Sequence, residues 1–362
     1  MDSMTSEQLA ILAEEDQGPL TKSLIITFTI ISFVCVCLRI FTRIKYMGRA
    51  IGWEDHTIVV SMLFSIITAI FQILQANAGN GRHAMFIPFP EGVIRILRYL
   101  YWSIIFYNLS LTFTKISILL QYGRIFTVRE MRIPLHITMA ICIAWGITTI
   151  LTSIFTCVPV NAYWQILEQA KATCIRNKTI WYVNASINIF TDVIIAVLPV
   201  RVIWRLQVPM KQRVALLGIL TIGWFVCIVS VLRLHALVVL AAHPDDNTWY
   251  SSATAYWSAI ESNLAIVCAS LPALKPLIVK IIPGFSARHS SRGYGTGVSD
   301  RHKSQAFERS THHTADDTIE LDTANIYVTR QVEQHFEENG HGSDSESQKD
   351  LVAVPESVLE HR

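Results

Sequence analysis

Residues 188–199 read NIFTDVIIAVLP. One carboxylate, Asp192, stands among Ile189, Phe190, Val193, Ile194, Ile195, Val197 and Leu198, and no basic residue follows until Arg201. In water the segment would be a core helix carrying one odd acid. In a bilayer an unpaired charge near the midplane costs at least about 3 kcal/mol, so the acid demands a partner. The solvent around this stretch decides the fold, and the rest of the chain identifies it.

Composition points to hydrocarbon. Of 362 residues, 51% are hydrophobic and 16% charged, against about 25% charged in soluble domains. The mean hydropathy of +0.38 agrees. The excess is uneven: apolar runs fill roughly 21–282, whereas 283–362 is polar and holds half of the 28 acidic residues. The net charge of +2 therefore combines a basic membrane part with an acidic tail. Seven cysteines are few for this length and build no disulfide scaffold. No CxxC pair or spaced Cys/His set suggests zinc. No nucleic-acid partner is expected.

A spanning helix needs about 20 mostly apolar residues at about 1.5 Å rise each. Seven segments qualify, at 21–41, 56–77, 97–121, 133–157, 180–204, 214–241 and 255–281. Each is bounded by charge or by Pro, Gly and Asn, as in RIKYMGR after the first and NAGNGRH after the second. Soluble core helices would show polar stripes and shorter runs. The expected fold class is all-α: a polytopic membrane protein, a bundle of seven transmembrane helices. Its expected organisation is a short external N-terminus over 1–20, the helical domain over 21–282 and a disordered cytosolic tail over 283–362. The lipid bilayer is then its first partner.

Lysine and arginine near the span ends set the orientation. The first connection carries Arg39, Arg43, Lys45 and Arg49; the third carries Arg124, Arg129 and Arg132; the fifth carries Arg201, Arg205, Lys211 and Arg213. The N-terminus instead has Glu7, Glu14, Glu15 and Asp16 against Lys22. The second and fourth connections blur the contrast, and the balance favours an N-terminus outside. The acidic start lacks the basic region of a signal peptide, so the first span is expected to be an uncleaved anchor. Plasma membrane and endomembrane are not distinguished.

Cys157 and Cys174 both fall at or near the fourth, external connection. An oxidising compartment would let them close a loop of about 17 residues, worth about 3 kcal/mol in the loop-entropy picture; the alternative is two free thiols. Of three N-x-S/T triplets, those at Asn108 and Asn184 lie within spans, and only Asn177 is an external candidate for a glycan. GNGRH, from Gly79 to His83, reads as a glycine-assisted turn at the external end of the second helix. His83 is placed there either to meet a ligand or as a solvated histidine. GWED, from Gly52 to Asp55, puts acids at a helix start, where the dipole favours them, and a structural role is expected.

The ionisable residues inside the spans are Lys115, Asp192, Arg233 and Glu261, with His235 beside Arg233. Such groups face the bundle interior and pair with one another. Asn184, Asn188 and Asp192 share one helix face at i, i+4 and i+8, and Tyr101, Asn108, Thr112 and Lys115 share a face of the third helix. A polar seam between helices three and five follows. Depth along the helices suggests Arg233 with Glu261, both about 10–12 Å below the external face, and Asp192 with Lys115. These pairs either fix packing only or form a core whose pairing differs between two conformations. Trp224 and Trp257 are candidate cavity walls.

In order, the chain carries RIFTR from Arg39, GWED from Gly52, GNGRH from Gly79 and KISILLQYGRIF from Lys115. CVPVNAYW from Cys157, NIFTD from Asn188, SVLRLHAL from Ser230 and YWSAIESNLAIVCASLPALKPL from Tyr256 follow. Over roughly 20–285 this resembles the fungal rhodopsin-domain family of integral membrane proteins. That family includes the satratoxin-cluster membrane proteins and the seven-helix part of pathogenesis-related fungal receptors. The resemblance implies a receptor-like bundle, in some members encoded beside secondary-metabolite genes. The CFEM-bearing receptor subgroup has eight cysteines ahead of the first helix, whereas this chain has none before Cys35, which argues against surface sensing. Retinal is not expected as a cofactor, because the middle of the seventh helix, Leu264 to Cys268, holds no lysine.

The functional expectation is a receptor-like membrane protein accessory to secondary metabolism, with an unknown small-molecule ligand. A cytosolic signalling partner would act at the loops and tail. Two alternatives stay open: a membrane-embedded isomerase or cyclase using a buried acid on a lipophilic intermediate, and a transporter. No nucleophile elbow or phosphate loop supports a narrower enzyme reading, and a non-enzymatic role is favoured.

Overall fold

The structure, a computed structural model, describes residues 10, 12–46, 51–125, 129–167, 172–175, 177–205 and 210–281. The tail expected over 283–362 and most of the first ten residues lie outside these. Among the described residues seven long helices follow one another: α1 Gly18–Tyr46, α2 Trp53–Asn77, α3 Glu91–Ile125, α4 Arg129–Ile154, α5 Asn177–Arg205, α6 Met210–Ala242 and α7 Asn247–Ile281. Each contains an apolar stretch long enough to cross a membrane. Most run a few residues past their apolar core, because polar end turns continue the helix at the interface.

The helices close a ring. α2 packs along α3, α1 along α7, and α5, α6 and α7 lie side by side, while α3 and α7 also meet inside. The outward faces carry exposed Ile30, Ile133, Ile147, Phe190, Phe225 and Ile228, the pattern of a hydrocarbon-facing surface. Lipid tails are as apolar as these side chains, so helix association relies on small residues and interhelical hydrogen bonds. The interior follows that rule. The Ser61 and Thr114 hydroxyls lie 2.6 Å apart between α2 and α3. Asn263 of α7 accepts from Ser32 of α1 at 2.6 Å and from Ser65 of α2 at 3.0 Å.

At one end of the bundle two short strands, β1 Cys157–Val158 and β2 Thr173–Cys174, pair antiparallel with Cys157 opposite Cys174. The two cysteines form a disulfide across a sequence separation of 17. Cys157→Ser should cost about 3 kcal/mol by freeing a loop of this length in the unfolded chain. Thermal unfolding in nanodiscs with and without reductant checks this: reductant should lower the wild-type midpoint and leave the variant's unchanged. At the same end the α2–α3 loop turns through Gly79 and Gly81, with φ of +111° and +107°. A Cβ on Gly81 would sit 2.9 Å from the Gly18 nitrogen, so both backbone conformation and close approach require glycine there.

Candidate functional site

The four intramembrane charges come from four helices: Lys115 on α3, Asp192 on α5, Arg233 on α6 and Glu261 on α7. Glu261 is fully buried. Its Oε2 lies 2.8 Å from Arg233 Nε, an ion pair whose alignment falls short of a hydrogen bond. Tyr107 donates to the same oxygen at 2.5 Å and accepts from Arg233 Nη1. The guanidinium also lies over the Tyr107 ring, 5.3 Å from its centroid, an added cation–π attraction. Glu261 Oε1 accepts from Asn188 Nδ2 at 2.9 Å and from Ser230 at 2.6 Å.

Lys115 sits 3.1 Å from Asp192 Oδ1. Its ammonium donates to Asn188 Oδ1 at 2.7 Å, to Thr191 Oγ1 at 2.6 Å and to the Asn188 carbonyl at 3.2 Å. The two pairs are not separate. Asn188 takes Lys115 on its amide oxygen and reaches with its nitrogen to Glu261 and, at 3.4 Å, to Asp192 Oδ2. Ser230 stands 2.6 Å from Glu261 and 3.2 Å from Asp192, and its single proton serves one carboxylate at a time. Two bases and two acids thus form one network of zero net charge. Depth arithmetic had suggested two pairs; the linkage depends on helix rotations that bring Asn188 and Ser230 between them.

The other expected site residues are distributed. Asn184 donates to Asn108 at 3.3 Å, extending the α3–α5 seam. Tyr101 leaves that seam and donates to the Ile154 carbonyl of α4 at 3.2 Å. His235 and Trp224 are exposed on the outer face, and neither they nor Trp257 line a described cavity. Asn177 opens α5, and its side chain lies outside the described residues. Tyr107 carries no charge to mark it in the sequence, and its signal there is position alone: it stands eight residues before Lys115, on the same side of the helix.

A cavity adjoins the network on the side away from the disulfide. Lys115, Asp192 and Glu261 line it together with Ile195, Gln121 and Pro272. It leaves about 60 Å³ for the centres of water-sized molecules, below the roughly 150 Å³ of an engineered cavity that admits benzene. In this conformation the cavity is smaller than a benzene-sized guest needs, so a larger molecule would enter only if the helices parted.

A second ionic cluster occupies the end opposite the disulfide. Arg39, fully buried, places Nε 2.8 Å from Asp55 Oδ1 and Nη1 2.6 Å from the Ala269 carbonyl and 3.3 Å from Gln121 Oε1. Arg43 lies 3.4 Å from Glu54, and Arg124 contacts the same carboxylate. GWED is thus more than a dipole-favoured helix start: its acids tie α1 and α3 to α2, and Arg39 extends the cluster to α7. The available signal was Arg39 and Arg43, four residues apart on α1, facing two acids across one short connection.

The sequence model described as "Fungal rhodopsin domain" matches residues 38–280. The chain belongs to the fungal rhodopsin-domain family. The matched segment contains both ionic clusters. Among the relatives of this fungal rhodopsin-domain chain is the polyenoic acids biosynthesis gene cluster protein Ba17b of Metarhizium anisopliae, 27% identical over 80% of this chain and 82% of that protein. Receptor GIN3 of Arthrobotrys oligospora is 24% identical over 83% of this chain and 75% of its own length. Satratoxin biosynthesis SC1 cluster protein 4 of Stachybotrys chartarum is 26% identical over 51% and 69%. No solved structure matches the chain.

Proposed function

We propose that this fungal rhodopsin-domain protein is a receptor-like membrane protein serving a secondary-metabolite pathway. In this reading the N-terminus and disulfide face outward, and the Arg39 cluster lies at the cytosolic end. The observation that carries the reading is the neutral four-helix network beside a cavity. Asn188 and Ser230 each reach both carboxylates, so the charges have more than one satisfied arrangement. A lipophilic ligand whose polar end reaches Lys115 or Asp192 would favour one arrangement and part α3, α5, α6 and α7 accordingly. The relatives' names support both halves, one being called a receptor and two being assigned to biosynthesis clusters.

An isomerase or cyclase would need a protonated acid facing a substrate-sized space. Both carboxylates here have a basic partner, which favours the receptor reading. The test is complementation of a deletion strain. Wild type should restore the expression of neighbouring biosynthetic genes. Ser230→Ala, present in the membrane at the wild-type level, should restore little of it. Full restoration by Ser230→Ala would remove the support for a switching network.

A further inference from the structure

His83 lies outside the spans, at the disulfide end, where three segments meet. Its side chain is only 11% exposed, with Nδ1 2.5 Å from Asp246 Oδ2 and Nε2 3.2 Å from Glu15 Oε2. The ring stacks on Trp249, 4.3 Å between centroids and 9° between planes. Asp246 is held in place by its second oxygen, which accepts from the Ala84 amide at 2.8 Å. Glu15 precedes α1, His83 belongs to the α2–α3 loop, and Asp246 and Trp249 flank the start of α7.

Both ring nitrogens therefore face carboxylates. An imidazolium donates from both, whereas either neutral tautomer aims a lone pair at one of the acids. We propose that His83 is a proton-operated clasp, which when protonated straps the segment before α1 and the head of α7 to the α2–α3 loop, and which loosens as the pH at this end of the bundle rises.

The surrounding charges agree with this direction. Glu15 and Asp16 come from the N-terminal segment, Arg82 from the loop, and Asp245 and Asp246 from the turn before α7. Arg82 is paired with Asp16 at 3.1 Å, so it opposes a charged His83 only weakly. Burial works against the charge, but hydrogen bonds to Asp246 and Glu15 and the charges of both acids outweigh it and raise the pKa above the ordinary histidine value. A group whose folded pKa is raised stabilises fully below its unfolded value, about 6.5. That contribution fades as pH climbs through the raised folded value. The clasp thus holds in acid and releases in alkali.

Contacts that do not titrate limit the release to a loosening. Gln17 N donates to the Gly81 carbonyl at 3.0 Å, and Gly81 N donates to the Thr248 carbonyl at 3.0 Å. α7 runs unbroken from Asn247 to Ile281, so the clasp bears on the helix that supplies Glu261. The inference does not depend on the receptor reading.

The test uses the full chain in nanodiscs with isotope-labelled histidine, the His83 resonance being recognised by its shift in Glu15→Gln, a change at a half-exposed side chain. The wild-type resonance should titrate with a midpoint above about 6.5, and Glu15→Gln should lower that midpoint. A wild-type midpoint at or below the ordinary histidine value overturns the proposal. In parallel, the melting temperatures of wild type and His83→Gln are compared from about pH 5.5 to about pH 9. Their difference should be largest at the acid end and close as pH rises. A difference that stays constant across the range marks a purely structural histidine and also overturns it.

Discussion

Glu261→Gln should lower stability by about 3–5 kcal/mol, the range found when one partner of a buried ion pair is removed. The substitution leaves Lys115 and Arg233 with only Asp192 to balance them, in a place where Arg233 Nη2 already lacks a hydrogen-bond partner. Hydrocarbon outside the bundle gives that charge no solvent to turn to. The excess charge can be withdrawn with its partner. Combining Glu261→Gln with Arg233→Met should therefore cost less than the sum of the single changes by about 2–3 kcal/mol, as expected for residues in one network. Denaturant unfolding of the four proteins in a mixed-micelle system measures the cycle. Strict additivity would show that the two side chains do not interact energetically.

Arg39→Met should have an effect of similar size, about 3–5 kcal/mol, for a related reason. It leaves Asp55, itself fully buried, with Arg43 at 3.6 Å as its ionic partner in place of one at 2.8 Å. It also removes the donor to the Ala269 carbonyl and to Gln121, loosening α7 and α3 from α1. The sharper expectation concerns Arg39→Lys. A guanidinium serves these partners through Nε and Nη1 in a fixed fork, whereas an ammonium is a compact point donor. Lysine should thus recover less than half of the loss. The same unfolding measurement decides it, and full recovery by lysine would mean that charge alone matters at this position.

The spans were legible in the sequence because the requirement that makes them is local. About 20 apolar residues in a row satisfy their own backbone within one helix, and no distant contact is needed to know that they can. The presence of partners for Asp192 and Glu261 was legible for the same reason, since a hydrocarbon solvent leaves a lone charge no other outlet. Depth along each helix also placed Arg233 level with Glu261. It could not show Asn188 and Ser230 bridging the two pairs, because linear spacing fixes a residue's height and leaves the rotation of its helix against the others open.

The Arg39 cluster shows the same limit from another side. Arg39 reads in sequence as one more basic residue near a membrane surface, and only its burial against Asp55 and the Ala269 carbonyl turns an orientation signal into a clamp. His83 is the extreme case: its partners stand 68 and 163 residues away in the chain. What the sequence by itself determined is the solvent, the seven helices and the obligation of every buried charge to be met. What the tertiary structure alone decided is which groups meet them, because that choice depends on how seven rigid rods turn and lean on one another.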